Sequence, residues 1–246
     1  MIDASTTPTV VLVHGAWADG SSWSEVVARL QARGLRVVSV QNPLSSLADD
    51  VAAVQRAIAM QRGPVVLVGH SWGGTVITQA GSEAAVDALV YVAAFAPALG
   101  ESTNDAQKGF PLAGYVPLLQ ADPDGYLWFP QDVLPVWFAQ DLPDTAGKVL
   151  AATQNPIRAA AFDDKVSQVA WQTKASWYLV TDEDRMIHPA LQRRMAERIG
   201  ARVSSVRASH VPFLSHAQET AAIILRAVGS ITGRDEDEAM AAPWIG

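Results

Sequence analysis

Apolar residues run almost without interruption through 9–13 (TVVLV), 36–40 (RVVSV), 65–68 (VVLV), 88–93 (ALVYVA), 176–180 (SWYLV) and 202–206 (RVSSV). Each run has the length of a strand, and continuity rather than alternation predicts strands covered on both faces, as in a parallel sheet. Between most of them the apolar period becomes helical. Trp23, Val26, Val27 and Leu30 recur at helix spacing, with Ser22 and Glu25 placed for a capping box and Gly34 as the stop. Leu47, Val51, Val54 and Ile58 form a second stripe closed by Gly63-Pro64, and Leu191, Met195 and Ile199 a later one closed by Gly200. Strands alternating with helices predict an α/β fold with a doubly wound, mainly parallel sheet.

The alternation fails between about residues 97 and 173, which hold more than half of the prolines and half of the aromatics. A structureless loop of that length is uncommon in a compact domain, so an inserted cap of short helices is expected there. The layout is then a core from 1–96 and 174–231, a cap from 97–173, and a flexible acidic tail over 232–246. The insert's aromatics form either a second hydrophobic layer or a roof over a ligand. Trp128, Phe129, Trp137 and Phe138 are the candidates for substrate contact.

Composition narrows the chemistry. In 246 residues, 49% apolar and 17% charged, the net charge is −7 and no Lys/Arg cluster occurs, which argues for a folded domain and against a nucleic-acid partner. There is no cysteine, so thiolate metal sites, disulfides and a cysteine nucleophile are excluded. The start, MIDASTTPTVVLVHGAW, lacks a basic segment followed by a long apolar one, and no run reaches the length of a spanning helix. The expectation is a soluble cytoplasmic protein with no membrane partner; a homodimer stays open.

One junction stands out. Gly69-His70-Ser71-Trp72-Gly73 fits G-x-S-x-G between a strand and a helix, the arrangement of a nucleophile elbow that presents a strained serine at the carboxyl edge of a sheet. A serine hydroxyl needs a base, and the base an acid, in the chain order Ser, Asp/Glu, His. His14 and His70 sit in glycine turns, His188 opens a helix and His216 begins the last one. His210 directly follows the final strand, where a base can reach over the elbow. After the preceding strand three carboxylates compete, Asp182, Glu183 and Asp184. An oxyanion hole takes one N–H from Trp72, behind the nucleophile, and a second from Ala16 in the HGAW turn after the first strand.

These segments resemble the α/β-hydrolase superfamily, and more closely its small capped group of bacterial carboxylesterases, plant methylesterases and hydroxynitrile lyases. VLVHGAWADGSSW is similar to the group's opening, LVGHSWGG to its elbow, DRMIHPALQRRMAERIGA to its acid loop, and ASHVPFLSH to its histidine loop. The resemblance implies a six-stranded core, a cap over Ser71, a triad of Ser71, Asp184 and His210, oxyanion donors at Ala16 and Trp72, and acyl transfer without a cofactor. The aromatic insert and the absence of an evident cationic clamp favour a small uncharged ester as substrate. Plant-type hydroxynitrile lyases carry a threonine where this chain has Gly15 and a lysine where it has Val211; dehalogenases carry an aspartate at the position of Ser71. Alternatives on the same triad are a lyase, a C-C, amide or lactone hydrolase, or a receptor that turns over slowly.

Overall fold

The computed structural model describes residues 7–234. In chain order its strands are β1 (Thr9–Val13), β2 (Arg36–Val40), β3 (Val65–His70), β4 (Val86–Val92), β5 (Gln120–Ala121), β6 (Tyr126–Trp128), β7 (Ile157–Arg158), β8 (Ala175–Thr181) and β9 (Arg202–Val206). Its helices are α1 (Ser24–Ala32), α2 (Leu47–Ala59), α3 (Trp72–Ala80), α4 (Thr103–Ala106), α5 (Leu134–Phe138), α6 (Asp144–Thr153), α7 (Pro189–Arg198), α8 (Pro212–Ser215) and α9 (Ala217–Thr232).

The expected doubly wound sheet is present: six parallel strands in the order β2-β1-β3-β4-β8-β9, with α1 packed on α9 and α2 on α3. β1 pairs with β2 on one side and β3 on the other, so the chain reverses its direction of travel across the sheet at β1. Ligands of open α/β sheets bind beyond the carboxyl ends of the strands at such a reversal. Both HGAW and the elbow lie there. The central strands β1 and β3 are wholly buried, as their continuous apolar runs predict, whereas edge strand β9 is largely exposed and Val203 keeps 53% of its surface in solvent.

Two local expectations change. The Ser22–Glu25 capping box does not form; Asp19 caps a short 3₁₀ turn (Gly20–Trp23) through Ser21 and Ser22, and Glu25 pairs with Arg29. Asp19 wins because its carboxylate accepts from two amides at once. Between β4 and β8 lie the short helices α4 to α6 and an antiparallel sheet in the order β5-β6-β7. Its first hairpin turns on Asp122-Pro123-Asp124-Gly125, where Gly125 takes φ 81° and Asp122 Oδ1 accepts from Asp124 N and Tyr126 N.

The insert is fastened to loops at the carboxyl edge. Trp17 N donates to Asn155 O at 2.9 Å, Arg158 N to Leu44 O at 2.9 Å, Leu47 N to Asp164 Oδ2 at 2.9 Å and Ser209 N to Asp141 Oδ2 at 2.9 Å. At the other end, α9 runs to Thr232 and stops at Gly233 in the left-handed region (φ 72°); of the tail expected over 232–246, residues 235–246 lie outside the described residues.

Candidate active site

β3 ends at His70 and α3 begins at Trp72, leaving Ser71 alone to make the turn with φ 52° and ψ −121°. A non-glycine residue in that region carries about 1–3 kcal/mol of strain, which the surroundings must hold in place. They do so by close packing. A Cβ on Gly73 would lie 2.5 Å from Val13 O, and one on Gly69 2.5 Å from Gly73 O. Ser71 O accepts from Gly74 N at 3.0 Å and Phe95 N at 3.1 Å. The side chain lines a cavity of about 280 Å³.

The loop after β8 folds around Asp184. Its Oδ1 accepts from Met186 N (2.7 Å) and Ile187 N (2.9 Å), and its Oδ2 from Thr181 Oγ1 (2.9 Å), Gln192 Nε2 (2.8 Å) and His210 Nδ1 (2.8 Å). A carboxylate so surrounded requires the proton of His210 to sit on Nδ1, which leaves a lone pair on Nε2. That Nε2 is buried and has no hydrogen-bond partner. The two competing carboxylates turn outward: Asp182 pairs with Arg193 at 2.5 Å and Glu183 with Arg207 at 2.8 Å.

Three of the four remaining histidines serve backbone. His70 Nε2–H donates to His210 O at 2.9 Å, and the two rings lie 4.6 Å apart, which places His210 beside the residue preceding Ser71. Burial first, then the neighbouring His210, holds the His70 pKa well below its ordinary value, so it stays neutral. His14 donates to Gly15 O and accepts from Asn42 N, and burial lowers its pKa too. His188 caps α7, and His216 bonds Ser215 at 2.9 Å.

Trp72 is the first residue of α3, where a backbone N–H has no intrahelical acceptor and the helix dipole favours negative charge. Ala16 lines the same cavity as Ser71. Its turn is braced by Trp17, at φ 58°, whose indole N–H donates to Leu127 O at 2.8 Å and whose ring meets Phe129 edge-on at 4.8 Å.

The segment 97–173 adds Tyr115, Val116, Leu119, Leu127 and Phe162 to the cavity wall, with Asn104, Gln107 and Asp163 as polar members, and Phe95, Met186 and Ile187 join it from outside that segment. None of the four expected contact aromatics lines it. Phe129 is spent on Trp17 and Tyr115, Phe138 is wholly buried against His70 and His210, Trp137 lines a neighbouring cavity, and Trp128 is 38% exposed and bonded to Asp122. Aromatic identity signals burial but not which way a ring points, so Tyr115 and Phe162 could not be singled out. Thr181 and Gln192, which bond Asp184, and Asp141, which bonds the loop after β9, carry no motif. Among the described residues no cluster of three His, Asp or Glu side chains is arranged to hold a metal ion, and no helix is long and apolar enough to cross a membrane.

Residues 10–223 match the α/β-hydrolase family, and the chain belongs to it. An α/β-hydrolase of Aspergillus novofumigatus is 27% identical over 90% of this chain and 97% of its own. A carbendazim-hydrolysing esterase of Nocardioides is 34% identical, over 37% of this chain and 44% of its own. A pyrethroid hydrolase of Sphingobium faniae shares the fold at a TM-score of 0.76 with 23% identity, covering 96% of this chain and 98% of that one; a methylesterase of Arabidopsis does so at 0.76 with 19% identity, covering 91% and 100%.

Proposed function

We propose that the protein is a serine hydrolase of small, uncharged carboxylic esters, working through an acyl-enzyme on Ser71 under a cap formed by residues 97–173. The observation that carries this reading is the sealed His210–Asp184 pair, which leaves a bare Nε2 lone pair on a ring packed against His70, the residue before the strained serine. His210 Nε2 takes the Ser71 proton as Oγ attacks the ester carbonyl, and Asp184 holds the tautomer and offsets the imidazolium charge. The Ala16 and Trp72 amides receive the oxyanion, a donor of this kind being worth about 10² to 10³ in rate. His210 then protonates the leaving alcohol. Water enters, gives its proton to the same nitrogen, and releases the acid.

A cyanohydrin lyase on the same residues would need a cation beside the departing cyanide. Val211 is buried and uncharged; Lys108 and Lys165 both face Asp105, at 2.6 Å and 3.9 Å, and neither lines the cavity. Hydrolysis of p-nitrophenyl butyrate that disappears in Ser71→Ala, with no benzaldehyde released from mandelonitrile, is the expected result. Ser71-dependent benzaldehyde release without ester turnover would replace the hydrolase with the lyase.

A further inference from the structure

A second cavity of about 210 Å³ adjoins the one that holds Ser71. Gln107, Leu112 and Met186 line both, and so form the partition between them. The partition is soft. Leu112 is 75% exposed, Met186 has an unbranched side chain that repacks readily, and Gln107 is tied only by a 3.4 Å bond to Thr103 O. A substrate arm can displace these groups at far less cost than a strand or a packed ring.

The second cavity has its own chemistry. Phe110 and Trp137 give it aromatic walls. Arg185 spends one N–H on Val136 O at 2.8 Å and keeps others, and His188 accepts Ala190 N on Nδ1, which leaves its Nε2 as a donor when neutral. Asp184 also contributes to the wall, so an anion entering here meets a buried carboxylate, while a cation meets Arg185. The balance favours an uncharged aryl group carrying a hydrogen-bond acceptor. Position selects which arm of an ester brings it. The leaving alcohol takes its proton from His210; Asp184, bonded to His210 Nδ1 at 2.8 Å, borders the second cavity, and Met186 borders both, so the second cavity lies along the His210–Asp184 pair.

We propose that the second cavity is the subsite for an uncharged aryl group on the alcohol arm of the ester, entered past Leu112 and Met186, so that arylalkyl esters are the preferred substrates. This rests on the serine-esterase reading above. The test compares kcat/KM for 2-phenylethyl acetate and ethyl acetate by acid release. The ratio is expected to exceed about ten, pocket discrimination per methylene already reaching that size. Ala113→Phe, which fills the subsite, should bring the ratio towards one, and Leu112→Ala, which opens the partition at an exposed position, should raise it. Calorimetric titration with 5-phenyl-2-pentanone, a ketone of the same shape as 2-phenylethyl acetate, reads the subsite without turnover; Ala113→Phe should weaken it about ten-fold. Ester turnover with a ratio that neither substitution moves overturns the subsite. Absent turnover with ketone binding still weakened by Ala113→Phe supports the subsite and sinks the esterase reading. Ketone binding indifferent to Ala113→Phe overturns the subsite whatever the esterase result.

Discussion

Asp50 Oδ2 accepts the Trp72 indole N–H at 2.7 Å while its Oδ1 accepts Leu44 N at 2.7 Å, all out of contact with solvent. A carboxylate in α2 thus braces the side chain of the residue whose amide is assigned to the oxyanion, together with a turn in which Leu44 holds φ 58°. Burial, opposed by these two hydrogen bonds, pushes the Asp50 pKa from 3.8 up to about 6. Because the folded state binds this proton more tightly than the unfolded chain, the Asp50 contribution to stability is greatest below pH 4. It declines as pH rises through the window from about 4 to 6 and is lost above, a change of about 3 kcal/mol. Urea unfolding at pH 4.5 and pH 7 should show that slope shrinking in Asp50→Asn. A pH slope equal in both proteins would refute the assignment.

Gly15 is required by space. A Cβ there would stand 2.7 Å from Ser71 Cβ and 2.9 Å from His70 O, neither of which is a flexible chain end. Gly15→Ala should therefore shift the serine against Ala16 and lower kcat/KM for p-nitrophenyl butyrate by about 10² or more, the usual consequence of an ångström of misplacement. Circular dichroism should show the fold retained. Unchanged kinetics would mean that the turn is further from the chemistry than its contacts imply.

Asp184→Asn replaces the acceptor that fixes the His210 tautomer. In a serine protease the same change costs about 10⁴ in kcat, and a loss of several orders of magnitude is expected here. Asp182→Asn removes only a surface pair with Arg193 and should leave activity within two-fold. The opposite ranking, measured with one chromogenic ester, would reassign the acid.

Substrate choice should follow the residues that line the cavity. Phe162→Ala and Tyr115→Ala are expected to redistribute kcat/KM among acyl chain lengths, each methylene being worth about 1–3 kcal/mol. Phe138→Ala should instead lower stability by about 3–5 kcal/mol, because the ring is fully buried. Trp128→Ala should do little to either. A chain-length profile that responds to Trp128 and ignores Phe162 would contradict the observed cavity.

Much of this was legible in the chain because the relevant signals are local. Continuous runs such as TVVLV and VVLV predict buried parallel strands, and G-x-S-x-G between strand and helix predicts the strained serine, since only one tight geometry satisfies that spacing. The choice of Asp184 over Asp182 depended on resemblance, because three adjacent carboxylates look alike until their donors are in view. Gln192 and Asp141 were invisible for the same reason: their partners lie at Asp184 and Ser209, distant in sequence. The hairpin at Asp122–Gly125 has a turn signal of its own, Asp-Pro-Asp-Gly, but it stands among many other prolines that mark no hairpin.

Ser71 is proposed as the nucleophile and His210 as the group that activates it. Incubation with a p-nitrophenyl alkylphosphonate ester, followed by intact-mass measurement and peptide mapping, tests it most directly. One adduct per chain is expected, on Ser71, formed in step with loss of ester turnover and slowed by orders of magnitude in His210→Ala. An adduct on another residue, or esterase activity that persists with Ser71 fully modified, would contradict it.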